Sequence, residues 1–117
     1  MNSIEFLRVE DLDVSVSYPD GLEQVLKQGL VDLTPWHMMD REAAKQRLRG
    51  LRGRYSVKYV PFARRQDNDD IACLDPAQPG HVVVVHDFAS EGYERRRAFD
   101  SFWDWFRAAI EDMIIFE

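Results

Sequence analysis

A single cysteine, Cys73, stands among 117 residues, so no internal disulfide can form. That excludes the stapled scaffolds of small secreted domains, and a reducing compartment is the simplest setting. Long apolar runs are also missing. The valine run Val82–Val85 is strand-sized, far below the ~18 residues a membrane helix needs. The first residues lack the basic-then-apolar pattern of a leader peptide. Together these absences lead us to expect a cytoplasmic protein with no membrane attachment. The chain contains no GxxxxGK[ST], GxGxxG or HExxH, and its histidines at 37, 81 and 86 have no zinc-like spacing with one another or with Cys73. Neither a cofactor nor a metal is expected. No repeat, low-complexity stretch or linker interrupts the chain, so residues 1–117 read as one domain.

Positive charge is the scarcer sign: 15 Lys and Arg against 21 Asp and Glu, a formal net charge of −6. Such a balance argues against direct nucleic-acid binding, where phosphate contacts dominate affinity. The distribution is uneven. Arg41, Lys45, Arg47, Arg49, Arg52, Arg54, Lys58, Arg64 and Arg65 face one acid, Glu42, within the same stretch. The first 23 residues hold Glu5, Glu10, Asp11, Asp13, Asp20 and Glu23 against Arg8 alone. Either the two regions neutralise one another, or the basic stretch meets an acidic partner.

Apolar residues make up 45% of the chain, enough to form a core without staples. Ile4, Phe6 and Leu7, then Leu12, Val14 and Val16, predict two short strands, the second alternating with Asp13, Ser15 and Ser17. Pro19-Asp20-Gly21 reads as a turn. A short helix follows to Gly29, burying Leu22, Val25 and Leu26. Thr34-Pro35-Trp36 is extended before its proline. Asp40 is an N-cap for a helix from Arg41 to Leu51 that buries Ala44, Leu48 and Leu51 and is closed by Gly50 and Gly53. Three strands come next: Tyr55–Ala63, with Pro61 at an edge or bend, then Ile71–Leu74, then Val82–Phe88 buried on both faces. The connection Asp75–Gly80 makes the last two antiparallel neighbours. A long helix from about Glu94 places Phe99, Phe102, Trp103, Phe106, Ile110, Met113 and Ile114 on one stripe, widened by Trp105, Ala109 and Phe116. The stripe either packs on the sheet or serves a homodimer or a partner groove. The fold class is α+β, with a mixed or mainly antiparallel sheet flanked by helices and a long C-terminal aromatic helix.

Two constellations invite chemistry. Asp67-Asn68-Asp69-Asp70 resembles the start of a calcium loop, but Ala72 stands where such a loop needs glycine and Gln78 where it needs glutamate. A polar turn is the better reading. Cys73, His86 and Asp87 suggest a thiol nucleophile. Yet Cys73 lies among Ile71, Ala72 and Leu74, which reads as a buried packing residue, and no catalytic residue is assigned. Arg95-Arg96-Arg97, placed at the start of the last helix, opposes the helix dipole by about 0.3–1 kcal/mol per exposed group. Acids nearby must offset it, or the triplet receives an acidic partner.

Four segments carry a family resemblance: Tyr59-Val60-Pro61-Phe62-Ala63; Asp67 to Asp75, reading DNDDIACLD; Val82 to Ser90, reading VVVVHDFAS; and Phe99-Asp100-Ser101-Phe102-Trp103-Asp104-Trp105. Together they resemble the SUKH superfamily, which includes the yeast cell-wall assembly regulator and many bacterial immunity proteins. The first half of the chain lacks that family's Leu-Pro-x-x-Tyr start and Asn-Gly-Gly turn. The resemblance implies an α+β fold that acts by binding another protein, typically neutralising a cognate toxin. An acidic surface suits a basic toxin. Asp67, Asp69, Asp70, Asp87 and Glu91 are the candidate partner-binding residues, because turns at sheet ends are exposed on a rigid scaffold. The alternative is a housekeeping interaction or scaffold protein of the same fold.

Overall fold

The computed structural model describes residues 5–116. A six-stranded sheet runs in simple sequence order: β1 (Asp32–Leu33), β2 (Trp36–Met38), β3 (Val60–Arg65), β4 (Asp70–Leu74), β5 (Val82–His86) and β6 (Arg95–Phe99). Every neighbouring pair is antiparallel. Three α-helices complete it: α1 (Asp20–Lys27), α2 (Arg41–Arg54) and α3 (Phe102–Ile115). The α+β expectation holds, and the sheet is antiparallel throughout.

Successive residues of β4 and β5, from Ile71 to Cys73 and from Val82 to Val85, are all removed from solvent. A strand buried at consecutive positions has both faces covered. On one face α3 sets Trp105 edge-on to Trp36 and Phe62, with ring centroids 5.5 and 5.0 Å apart, and Phe102 joins the same cluster. Such aromatic pairs add about 0.5–1.5 kcal/mol each beyond the area they bury. α2, which crosses from β2 to β3 and packs on β3, covers the other face with Ala44, Leu48 and Leu51. Its start is set by Asp40, whose carboxylate accepts the Ala43 backbone N–H at 2.9 Å. α1 buries Leu22, Val25 and Leu26 as expected, and Gly29, at φ 73°, takes the left-handed turn that ends it.

Several local expectations are corrected. Leu12, Val14 and Val16 do alternate inward while Asp13, Ser15 and Ser17 face water, but the segment is extended chain and a 3-10 turn (Val9–Asp11), not sheet. Alternation reports an extended backbone lying on an apolar surface; a ladder needs a partner as well. Ile4 lies outside the described residues. Pro19-Asp20-Gly21 opens α1 instead of forming an isolated turn, with Pro19 at the N-cap. Gly50 and Gly53 lie inside α2, which continues to Arg54. The third strand starts at Val60, not Tyr55; Pro61 lies at a bulge where β2 no longer runs alongside β3, so its missing N–H interrupts no ladder bond to β2.

The largest correction concerns residues 94–101. Arg95–Phe99 is a strand, not the first turn of the last helix. The helix begins only at Phe102, where Ser101 accepts the Asp104 N–H at 3.1 Å. Three arginines are thereby kept off a helix N-terminus, and β5 gains its second neighbour. The buried stripe of α3 is Phe102, Trp105, Phe106 and Ala109, while Trp103, Met113 and Ile114 are exposed and Phe99 is only half-buried. Apolar residues occupy so much of this helix that periodicity alone does not choose the centre of its buried arc. The packing of Trp105 and Phe102 on Trp36 and Phe62 sets it, and Asp112 on the same helix accepts the Trp36 indole N–H at 3.0 Å across the helix–sheet junction.

Candidate interaction surface at one end of the sheet

In an antiparallel meander the hairpins alternate between the two ends of the sheet. The β1–β2, β3–β4 and β5–β6 connections therefore share one end. Gln66 of the β3–β4 turn donates its backbone N–H to the Pro35 carbonyl at 2.8 Å, and Asp87 donates to the Asp69 carbonyl at 3.0 Å, tying the three together.

The β5–β6 connection, Asp87 to Glu94, is fastened at both ends by buried acids. Asp87 has 0% side-chain exposure and receives a bidentate pair from Arg54 at the end of α2, at 2.7 and 2.6 Å. Arg47 approaches it at 3.7 Å. Glu94 is buried, accepting the Tyr59 hydroxyl at 2.7 Å and the Gly92 N–H at 2.7 Å. The Tyr59 phenol is pushed well above its ordinary range by burial and by that carboxylate. Glu94 itself is held below the usual glutamate value, burial opposing and the Tyr59 and backbone hydrogen bonds prevailing. Between these anchors the Tyr55 hydroxyl donates to the Ala89 carbonyl at 2.8 Å, and Glu91 accepts from Ser56 N–H at 3.1 Å.

The tethered loop holds two large aromatics in water. Phe88 is 62% exposed and Tyr93 77%. Phe88 adopts φ 69°, the one non-glycine residue in the left-handed region among the described residues. For a bulky side chain that backbone costs about 1–3 kcal/mol and is sustained by its surroundings. Here the Asp87 carboxylate accepts the Phe88 N–H at 2.9 Å, and the Arg54 guanidinium lies 4.1 Å from the Phe88 ring centroid. One arginine thus neutralises the buried acid and supports the exposed ring.

The five candidate acids have different environments. Asp87 is interior and out of a partner's reach. Asp67 is exposed but paired with Arg65 at 2.7 Å, which holds its carboxyl below the usual range. Asp70 is half-buried and 2.7 Å from His86 Nδ1. Glu91 is exposed and secures Ser56. Asp69 is exposed with no side-chain partner among the described residues. The structure brings all five to one end of the sheet. Phe88 and Tyr93 were not singled out from the sequence: Phe88 prolongs an apolar run that reads as strand, although the charge at Asp87 marks where that strand stops.

Other sequence features resolve as architecture. Arg41 grips Asp11 at 2.7 and 2.8 Å, Arg52 grips Asp13 at 2.7 Å, and Lys58 reaches Asp13 at 3.1 Å. The acidic N-terminal stretch and the basic helix therefore neutralise one another. Cys73 is fully buried opposite Val83, its thiol pushed far up by burial. His86 turns to Asp70, so cysteine and histidine do not form a pair. No group of three or more His, Cys, Asp or Glu among the described residues is arranged to hold a metal. A cavity of about 220 Å³ lies at the opposite end of the sheet, between Ser15–Ser17 and the β4–β5 loop. No helix among the described residues is long and apolar enough to cross a membrane.

Comparison with protein-family models, with curated proteins and with solved structures finds no match.

Proposed function

We propose that this chain is a non-catalytic protein-binding domain, similar to SUKH immunity proteins, that neutralises a basic toxin through the end of the sheet carrying the β3–β4 turn and the β5–β6 loop. The observation behind this reading is the pair Phe88 and Tyr93, exposed on a loop fixed at both ends by buried, hydrogen-bonded acids. Rigid aromatics are the side chains that most often anchor protein interfaces, because they bury large area at low entropic cost. Asp69 and Glu91 lie alongside and supply negative charge at the rim, which speeds encounter with a basic surface. The toxin is implied by the family resemblance of residues 59–105, and the acidic balance of the chain is compatible with it.

The test is affinity capture from the native cell with the wild-type chain and with a Phe88→Asn/Tyr93→Ser variant, followed by assay of the captured protein for toxicity. Asparagine tolerates the left-handed backbone at position 88. The reading requires a toxic, basic protein retained by the wild type and lost by the variant. Retention of one cellular assembly by both proteins would instead favour a scaffold role.

A further inference from the structure

β6 is the long open edge of the sheet. It pairs with β5 alone, and residues 95–99 make no other backbone hydrogen bonds among the described residues. The opposite edge, β1, is two residues long. Five residues of β6 span roughly 17 Å, enough to template another strand. Arg95, Arg96, Arg97 and Ala98 are all exposed.

The charge on this edge restricts what can pair with it. β6 contains three arginines and no acid, in a chain of net charge −6. Arg95 reaches Asp75 at 3.5 Å and Arg97 reaches Asp112 at 3.4 Å, both with side chains 44% exposed. Arg96 has no acid within ion-pairing distance among the described residues and sits at the bulge between the partners of Val84 and Val85. Arginines and a bulge are devices that keep sheet edges from pairing indiscriminately. They act selectively, however. Two copies of β6 aligned antiparallel would set arginines against arginines, and like charges opposed across strands are destabilising. A basic strand is rejected in the same way. An acidic strand gains both the main-chain bonds and the cross-strand ion pairs.

We propose that the outer edge of β6 accepts an acidic, extended peptide segment of a partner protein as a seventh strand. Main-chain hydrogen bonds supply the affinity of such strand addition, and the arginines supply its selectivity. The inference does not depend on the function proposed above, since it invokes neither Phe88 nor Tyr93.

The test uses the full chain, isotopically labelled, titrated with a capped peptide of alternating Glu and Thr. Its counterpart with Lys for Glu, and a version N-methylated at alternate residues, serve as comparisons. We expect amide shifts and slowed amide exchange centred on residues 95–99 with the acidic peptide, and at least about tenfold weaker binding for either comparison peptide. Arg96→Glu should weaken the acidic peptide by a similar factor while the melting temperature holds; Arg96→Gln, which adds no charge, serves if that variant fails to fold. Equal binding of the N-methylated peptide, shifts centred away from β6, or no shift at millimolar peptide would each overturn the proposal.

Discussion

Arg54 and Asp87 form a bidentate ion pair that ties the end of α2 to the start of the β5–β6 loop, with the carboxylate fully removed from solvent. The same guanidinium lies beneath the Phe88 ring. Local order at the exposed aromatics therefore depends on a buried charge pair.

Removing one member of such a pair leaves a charge with too few partners. Arg54→Ala should lower unfolding stability by about 3 kcal/mol, in the range for breaking a buried ion pair. Arg54→Lys, which keeps the charge but not the two parallel bonds, should fall between. Chemical denaturation measures both. A loss under ~1 kcal/mol for Arg54→Ala would mean that Arg47, 3.7 Å from the carboxylate, takes over.

Stability should also respond to acid. Asp11 and Asp13 are held far below the usual carboxylate range, chiefly by hydrogen bonds from Arg41 and Arg52. A carboxyl whose folded pKa is lower than its unfolded value stabilises the fold fully above the unfolded value, near 3.9. That contribution is lost as pH falls from there toward the folded value. The denaturation midpoint should accordingly drop below about pH 4, and Asp13→Asn should reduce the slope. Both groups touch solvent, so added salt should shrink the effect. A slope indifferent to Asp13→Asn would remove that pair from the acid response.

Gly21 shows why a helical glycine can be required. A Cβ there would lie 2.8 Å from Phe102 Cδ2 and 2.8 Å from Trp103 Cε2. Alanine ordinarily favours a helix over glycine by ~1 kcal/mol. Trp103 is partly exposed and can move, but Phe102 is locked among Phe62, Trp105 and Phe106. Overpacking of that kind costs about 1–3 kcal/mol, so Gly21→Ala should destabilise on balance. A raised melting temperature would show that the α1–α3 contact relaxes freely.

Much of this architecture was legible in the residues. Asp40 marked the start of α2, the valine run marked the buried β5, and the opposed charge of residues 5–23 and 41–65 appeared as ion pairs. The misreadings have physical causes. Arg95–Phe99 carries no apolar period of its own and joins the sheet because β5 has an unpaired side, which is tertiary information. The centre of the α3 stripe is set by what it meets on the sheet, Trp36 and Phe62, and Asp112 bonds Trp36 from 76 residues away in the chain. The candidate acids do lie together at one end of the sheet, but Asp87 and Glu91 look alike in sequence. In the fold Asp87 is interior, paired with Arg54, while Glu91 stays in water.

Cys73 provides a check on the core. Burial raises its thiol pKa, so the reactive thiolate is scarce at neutral pH and the sulfur is shielded as well. Labelling by a thiol reagent should be slow in the native protein and fast in denaturant. Rapid native labelling at neutral pH would mean that β4 and β5 separate readily.

The central claim is that Phe88 and Tyr93, held by Asp87 and Glu94, form the contact surface for another protein. The direct measurement is calorimetric titration of the captured partner into the wild-type chain and into Phe88→Asn/Tyr93→Ser, with melting temperatures recorded alongside. Interface anchors cost about 2–4 kcal/mol each when removed, so affinity should fall at least a hundredfold while the variant stays folded. A folded variant that binds its partner with unchanged affinity would contradict the account and place the interface elsewhere on the molecule.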